Sequence, residues 1–183
     1  MREPAPDLTD GAVLLRRWSD ADLPSLAAAA QDPRIPAGTT VPAVPSDEAG
    51  RAFVRRQWSR ASVGEGVSLA IVDRRAAGAD AGPAVGACVL MLRPQAGVAG
   101  IGYWLVPAAR GLVLASAAVR LLSSWALADA GLARVEALVE PGNAPSLRVL
   151  AAVGFEREGV LRSFLAFPDG RRSDAVVLSR VAG

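Results

Sequence analysis

The sequence lacks histidine and lysine, and it contains one cysteine and one tyrosine in 183 residues. Without histidine, a Ser-His-Asp triad, a histidine general base and histidine metal ligands are excluded. Because all 20 basic residues are arginine, a Schiff-base lysine and a P-loop lysine are excluded as well. Cys88 alone cannot form an internal disulfide or a multi-cysteine zinc site, so no metal site is predicted. Any proton transfer must use Asp, Glu, Ser, Tyr103, Cys88, water or the substrate.

Long apolar runs are also missing, since no stretch approaches the roughly 20 residues that a membrane helix needs. The first residues contain no apolar core of a signal peptide, and we expect a cytoplasmic protein that does not bind membranes. The net charge of +2 is small and the arginines form no basic tract, so nucleic-acid binding is not expected. A hydrophobic content of 51% over this length predicts one folded domain, 1–183.

Hydrophobic periodicity predicts strands and helices that alternate in the second half of the chain. The predicted strands are 13–18, 67–72, 85–92, 98–106, 134–139, 155–167 and 173–181. The predicted helices are one that follows a capping box at Ser19 and Asp22, then 47–60, 110–130 and 144–153. Proline and glycine predict a loop at 31–45 and a turn at 73–83. The fold class is therefore α/β, with a central mixed, mostly antiparallel twisted sheet of six to seven strands flanked by about four helices.

The most informative stretch runs from Ile101 to Phe155. In it a strand leads into Arg110-Gly111 and a long helix, and a second strand leads into Asn143, Ser146 and a short helix. The first turn of a helix presents unpaired N–H groups and about half a positive charge, which suit a pyrophosphate. This order of elements resembles the core of the GCN5-related N-acetyltransferases, in particular the RimJ/RimL-like branch that acetylates protein N-termini and small amines.

The resemblance implies acetyl-CoA as the acyl-donor cosubstrate. The family signature is Arg or Gln, two residues, Gly, one residue, then Gly or Ala. Arg110, Gly111 and Ala115 agree with it, and Val113 stands where a glycine is expected. The cofactor-binding residues implied at this helix start are Arg110, Gly111, Val113, Leu114, Ala115 and Ser116. An ordinary amphipathic helix start explains the same residues.

Three further elements take roles from the resemblance. A bulge near Leu105 and Val106 would splay the strand, so that freed backbone N–H groups bind the pantetheine arm and polarise the thioester; a fully paired core strand fits equally well. Asn143 would contact the pantetheine or simply cap the helix. Ser146 would donate a proton to the leaving thiolate, or have no role. Glu140, at a strand end, is the candidate general base, or a solvated carboxylate.

The predicted function is an acyl-CoA-dependent N-acyltransferase that transfers acetyl to a primary amine by direct attack in a ternary complex. The acceptor would lie between the 31–45 loop and the final hairpin. It is a protein N-terminus, an amino acid, an antibiotic or a polyamine. A longer donor such as succinyl-CoA is a third option, and a homodimer is left open.

The alternative is a catalytically impaired relative that kept the fold as a binding or interaction module. Val113 favours it, because a valine side chain can keep the phosphates from the backbone. Gly100 and Ala117 favour it too, because they stand where the resembled branch often has glutamates.

Overall fold

A computed structural model describes residues 1–5, 7–77, 82–111 and 113–183. The strands are β1 (Leu8–Thr9), β2 (Val13–Arg16), β3 (Gly66–Asp73), β4 (Gly86–Leu92), β5 (Val98–Leu105), β6 (Arg134–Val139), β7 (Glu156–Ala166) and β8 (Arg172–Val181). The α-helices are α1 (Leu23–Ala29), α2 (Arg34–Gly38), α3 (Asp47–Ser59), α4 (Arg74–Ala77), α5 (Leu114–Ala128) and α6 (Ala144–Ala152). Two 3₁₀ helices cover Asp20–Asp22 and Pro107–Ala109.

The strands form a mixed sheet in the order β1-β2-β3-β4-β5-β6-β8-β7. The β5–β6 pair is parallel, and the other neighbouring strands described are antiparallel. This confirms the predicted α/β class with a mixed, mostly antiparallel sheet. The described sheet has eight strands rather than six or seven. The extra strand is β1, whose two residues are too few to produce a periodic pattern.

Three predicted elements differ from the structure. The helix predicted at 110–130 begins only at Leu114, because the 3₁₀ helix and a left-handed Val113 precede it. The loop predicted at 31–45 contains the short helix α2. In the turn predicted at 73–83, β3 extends to Asp73 and α4 follows. Positions 78–81 of that turn lie outside the described residues.

Two hydrophobic cores lie on opposite faces of the sheet, because side chains alternate along each strand. Ile101 and Leu105 of β5 pack into the larger core together with Leu122 of α5. Trp104 lies on the other face, in a smaller core with Trp18 and residues of α1 and α3. The sheet is thus covered on both faces, and the faces meet different helices. No helix within the described ranges is long and apolar enough to cross a membrane.

Candidate functional site

The strands β5 and β6 separate along their length. Their parallel pairing ends at Gly100 and Glu136, and no later pair is found among the described residues. Each strand nevertheless remains paired with its other neighbour to its last residue, β5 with β4 and β6 with β8. The strands therefore diverge, and we call the space between residues 101–105 and 137–139 the fork. The sequence analysis expected a bulge near Leu105 to separate the strands. The register between β4 and β5 has no shift, so the fork does not arise from such a bulge.

Backbone groups of β5 point into the fork. At the end of β5 the Val106 N–H donates to Val85 O of the β4 side at 2.9 Å. Successive backbone groups along a strand alternate between its two sides. Tyr103 and Leu105 therefore direct their N–H and C=O groups away from β4, towards the fork, where β6 offers them no pairing. Of the two residues predicted to bind pantetheine, Leu105 has fork-facing groups, whereas the Val106 N–H is already used.

The first turn of α5 opens beside the end of β5. The first backbone hydrogen bond of this helix is donated by Ala117 to Val113 O, at 3.1 Å. No side chain caps the helix, and the N–H groups of Leu114, Ala115 and Ser116 have no acceptor within the part of the chain that the structure describes. The macrodipole adds partial positive charge at the same point. These groups form a site that favours an anion.

Val113, which stands where the sequence analysis expected a glycine, has a left-handed backbone conformation. Its φ of 56° and ψ of 1° are left-handed, a region that costs a β-branched residue about 1–2 kcal/mol. Its side chain is 71% exposed, so the valine points to solvent and does not fill a buried niche. Gly111, two residues earlier, also has a positive φ of 77°. Both positions thus have a backbone conformation that suits glycine, and Val113 has it at the expense of local strain.

Arg110 ties this loop to the first half of the chain. Its Nη2 lies 2.7 Å from Asp32 Oδ2, and its Nε donates to Leu105 O at 3.2 Å. Asp32 is only 7% exposed, and Arg34 also donates to it, with Nη2 at 2.8 Å. The guanidinium groups of Arg34 and, second, Arg110 hold the pKa of Asp32 well below its usual range. Two cations share one carboxylate here, which leaves positive charge in excess beside the start of α5.

Tyr103 and Ser146 meet on the α5/α6 face of the sheet. The Tyr103 Oη lies 2.6 Å from Ser146 Oγ and 3.2 Å from Ser146 O. Asn143 caps α6, because its Oδ1 accepts from the Ser146 N–H at 3.2 Å. The capping role predicted for Asn143 is confirmed, and the cap fixes the turn that carries the Ser146 hydroxyl. The sequence analysis considered Tyr103 and Ser146 separately and gave no sign of their contact.

Burial suppresses the ionisation of the Tyr103 hydroxyl and the Cys88 thiol. Burial raises the pKa of Tyr103 to about 12, while the hydrogen bond with Ser146 acts in the lowering direction. Tyr103 therefore keeps its proton at neutral pH and can donate it. Burial also raises the pKa of the Cys88 thiol, which is 0% exposed. This confirms that Cys88 is a small buried residue of the core.

Glu140, which follows β6, is exposed and ion-paired. Arg171 Nη1 donates to its Oε2 at 3.0 Å. Arg171 also lies 3.7 Å above the centre of the Phe167 ring, and its Nε is 4.0 Å from Asp169 Oδ2. Glu140 is thus connected to the β7–β8 hairpin through one arginine. The two residues lie 31 positions apart, and the sequence analysis did not predict this pair.

A cavity of about 410 Å³ lies between the α2 region and the tip of the β7–β8 hairpin. One wall is made of small apolar side chains, and the other carries an aromatic ring and two charges. The lining residues are Ala30, Pro33, Pro36, Ala37, Ala43, Phe167, Pro168, Asp169 and Arg171. Its walls belong to the two segments between which the sequence analysis expected the acceptor.

The comparisons with known proteins assign the family. Residues 12–156 match the family model described as an acetyltransferase (GNAT) domain, which is well over half of the chain. The chain belongs to the GNAT acetyltransferase family. An uncharacterized N-acetyltransferase p20 of Bacillus licheniformis is 38% identical over 81 residues, which are 44% of this chain and 46% of that protein. The curated relatives are thus matched over less than half of their own length.

Solved structures resemble this GNAT chain over nearly all of its length. Mycobacterium smegmatis RimJ in complex with a CoA-disulfide superposes with a TM-score of 0.80 at 25% identity, covering 96% of this chain and 86% of that one. RimL, a ribosomal L7/L12 alpha-N-protein acetyltransferase solved with coenzyme A, superposes with a TM-score of 0.78 at 18% identity, covering 93% and 94%. RimJ and RimL are therefore structural neighbours, and at 18% identity the likeness to RimL shows the fold alone.

The positions where this GNAT chain lacks a glutamate have other contacts. A Cβ atom on Gly100 would lie 2.6 Å from Arg93 Nη2, so an arginine covers this position. Arg93 Nε in turn donates to Glu136 at 3.0 Å. Ala117 is 5% exposed and packs in the larger core. Among the described residues, no three His, Cys, Asp or Glu side chains cluster in a way that could hold a metal ion.

Proposed function

We propose that this GNAT chain is an acetyl-CoA-dependent N-acetyltransferase that acts on a primary amine in a ternary complex. The observation that carries the proposal is the fork, which ends beside the first turn of α5, where three N–H groups have no acceptor among the described residues. An anionic diphosphate and an extended amide-bearing chain need those two features at neighbouring places. The complex of RimJ with a CoA-disulfide, at 25% identity, supports the same donor.

The residues of this chain fit such a donor. The N–H groups of Leu114, Ala115 and Ser116 would receive the pyrophosphate, and the surplus positive charge around Arg110 would favour it. The exposed Val113 side chain leaves the N–H groups accessible. The fork-facing N–H of Leu105 would donate to a pantetheine carbonyl, while the Leu105 carbonyl accepts from Arg110. Asn143 would contribute mainly by capping α6, which fixes the position of Ser146.

When bound, acetyl-CoA supplies an acyl group activated as a thioester and a thiolate leaving group. A backbone N–H that faces the fork would stabilise negative charge on the acyl oxygen. Ser146 Oγ would donate a proton to the departing sulfur while it accepts one from Tyr103 Oη, 2.6 Å away, and water would return a proton to Tyr103. Tyr103 is protonated at neutral pH, since burial raises its pKa. The pair needs no histidine or lysine.

The cavity beside the β7–β8 hairpin is proposed to bind the amine acceptor. Its proline and alanine wall suits a small apolar group, and Asp169, which is 67% exposed, can attract an ammonium ion. Glu140 is proposed to take the amine proton, with Arg171 moving away from it as the acceptor enters. Peptides with a free N-terminus are the first acceptors to test, since the RimJ/RimL-like branch that the sequence resembles acetylates protein N-termini.

The deciding experiment is calorimetric titration of the purified protein with CoA and acetyl-CoA, followed by a thiol-release assay with peptide amines. Micromolar affinity together with amine-dependent thiol release is expected. Binding without turnover would favour the catalytically impaired relative. No heat at millimolar ligand would rule out the donor site and with it the transferase.

A further inference from the structure

An ion pair links the two substrate sites of the proposed transferase. The acceptor cavity is walled by residues on both sides of Asp32, including Ala30 and Pro33. The donor site begins with the loop that follows Arg110. Arg110 Nη2 and Asp32 Oδ2 are 2.7 Å apart and join the two segments directly. We call this ion pair with its contact to Leu105 O the clamp.

The clamp can transmit a displacement of the donor loop to Asp32. Asp32 is 7% exposed, so it meets little competing water. Arg110 is held at two points, Asp32 Oδ2 and Leu105 O, and the second is a fork-facing carbonyl. A guanidinium fixed by two acceptors has few alternative orientations. A displacement of the donor loop must therefore move Asp32 or leave its buried carboxylate without this partner, which is costly.

We propose that Asp32 is a positioning residue that acts through Arg110 and couples binding of CoA to ordering of the acceptor wall, residues 30–43. The inference rests on the proposed function. CoA would order the loop around Arg110, and the clamp would carry that restraint to Asp32. The amide groups of Ile35 and Ala37 report the change, because Ile35 N–H donates to Asp32 O and Ala37 N–H to Pro33 O. Coupling of this kind is reciprocal, so an acceptor would also tighten CoA.

The chain offers a matched control in Arg34. Arg34 donates to Asp32 with its backbone N–H and two side-chain nitrogens, yet its contact lies within the acceptor wall. Replacing the Arg34 side chain removes its two side-chain hydrogen bonds to Asp32 but leaves the ion pair between Asp32 and Arg110 in place. If Asp32 had only a structural role, replacing either arginine would change the exchange response of the acceptor wall. If the coupling is correct, only the replacement of Arg110 will change it.

The test is hydrogen exchange of residues 30–43 in the full chain, with and without saturating CoA. CoA is expected to slow exchange at Ile35 and Ala37 by about fivefold or more, the lower end of common allosteric couplings. Arg110→Met, which keeps the aliphatic stem, should abolish this response, and Arg34→Ala should keep it. Asp32→Asn should also abolish it and serves if Arg110→Met fails to fold.

The outcomes separate the coupling from the function. If calorimetry detects CoA but exchange of residues 30–43 does not change in the wild type, the coupling is overturned while the transferase stands. A response that survives in Arg110→Met and Asp32→Asn also overturns it. If CoA does not bind at all, the proposed function is wrong, and the coupling, which depends on CoA binding, is wrong as well.

Discussion

Tyr103 Oη and Ser146 Oγ lie 2.6 Å apart, which joins the fork-lining strand β5 to the first turn of α6. The two hydroxyl groups are separated by 43 positions in the sequence. Their contact depends on the Asn143 cap, which orients the turn, and on the outward direction of Tyr103 from the sheet. In the proposed mechanism it supplies a proton donor and the partner that replenishes it, in a chain without histidine or lysine.

Removal of the Ser146 hydroxyl is expected to slow catalysis more than it weakens CoA binding. General acid catalysis contributes at least about 10²-fold, so Ser146→Ala should lower kcat by that order. The CoA dissociation constant should stay close to that of the wild type, since the Asn143 cap uses the Ser146 backbone. Tyr103→Phe should cause a smaller loss, because water can return the proton. Wild-type turnover in Ser146→Ala would remove this residue from the mechanism.

The single tyrosine makes its ionisation directly measurable by tyrosinate absorbance. Native protein should titrate near pH 12, and denatured protein near the ordinary value of about 10. Because the folded pKa is the higher one, this stabilisation is complete below about pH 10 and is lost as pH rises through 12. In Ser146→Ala the tyrosine should titrate higher still, since the lowering hydrogen bond is absent. A native titration near pH 10 would contradict the burial argument.

Val113→Gly is expected to stabilise the protein and to tighten CoA binding. Relief of the left-handed valine should gain about 1–2 kcal/mol, and the added freedom of the unfolded glycine should cost about 0.5–1 kcal/mol. A net gain of up to about 1.5 kcal/mol raises Tm by up to about 3–6 °C for a domain of this size.

Val113→Ala is the matched control, because it removes two methyl groups but retains the strained Cβ. It should leave Tm unchanged. If it tightens CoA as much as Val113→Gly does, side-chain bulk and not strain limits the affinity. If neither variant changes the affinity, position 113 does not meet the phosphates.

Glu158 should make the stability of the protein depend on pH in the acid range. Its hydrogen bonds with Arg134, first, and Ser179 lower the pKa of Glu158 to about 2. Because the folded pKa is lower than the unfolded value of about 4.3, the contribution is present above pH 4.3 and is lost as pH falls towards 2. Thermal unfolding should therefore depend less on pH in this window in Glu158→Gln. Glu156→Gln on the same strand, for which no ion pair is found within the described residues, should behave like the wild type.

Filling the acceptor cavity should raise the KM of the amine without affecting CoA. Ala37→Trp places a large ring in the wall of the 410 Å³ cavity. The KM for a peptide with a free N-terminus should rise by about tenfold or more, equivalent to about 1.4 kcal/mol. Ala27→Trp, in a separate cavity of about 290 Å³ between α1 and α3, is the control and should leave KM unchanged. An unchanged KM in Ala37→Trp would move the acceptor elsewhere.

The sequence by itself determined the class of fold, the order of the main elements and the chemistry that is excluded. Hydrophobic periodicity and capping residues act over a few neighbouring positions, so seven of the eight strands and the Asn143 cap were predictable. The missing histidine and lysine limited the mechanism in the same direct way. Short elements such as β1 and α2 were missed because a few residues carry no periodic signal.

Only the tertiary structure decided which distant groups meet. The Tyr103–Ser146 contact, the pairing of Arg110 with Asp32 and that of Glu140 with Arg171 follow from how the sheet is ordered and how loops cross its open end. Val113 shows the same limit at one position, because its left-handed backbone cannot be read from its residue type. Packing between distant residues can override the local preference of a segment. A short stretch of sequence therefore cannot reveal these contacts and conformations.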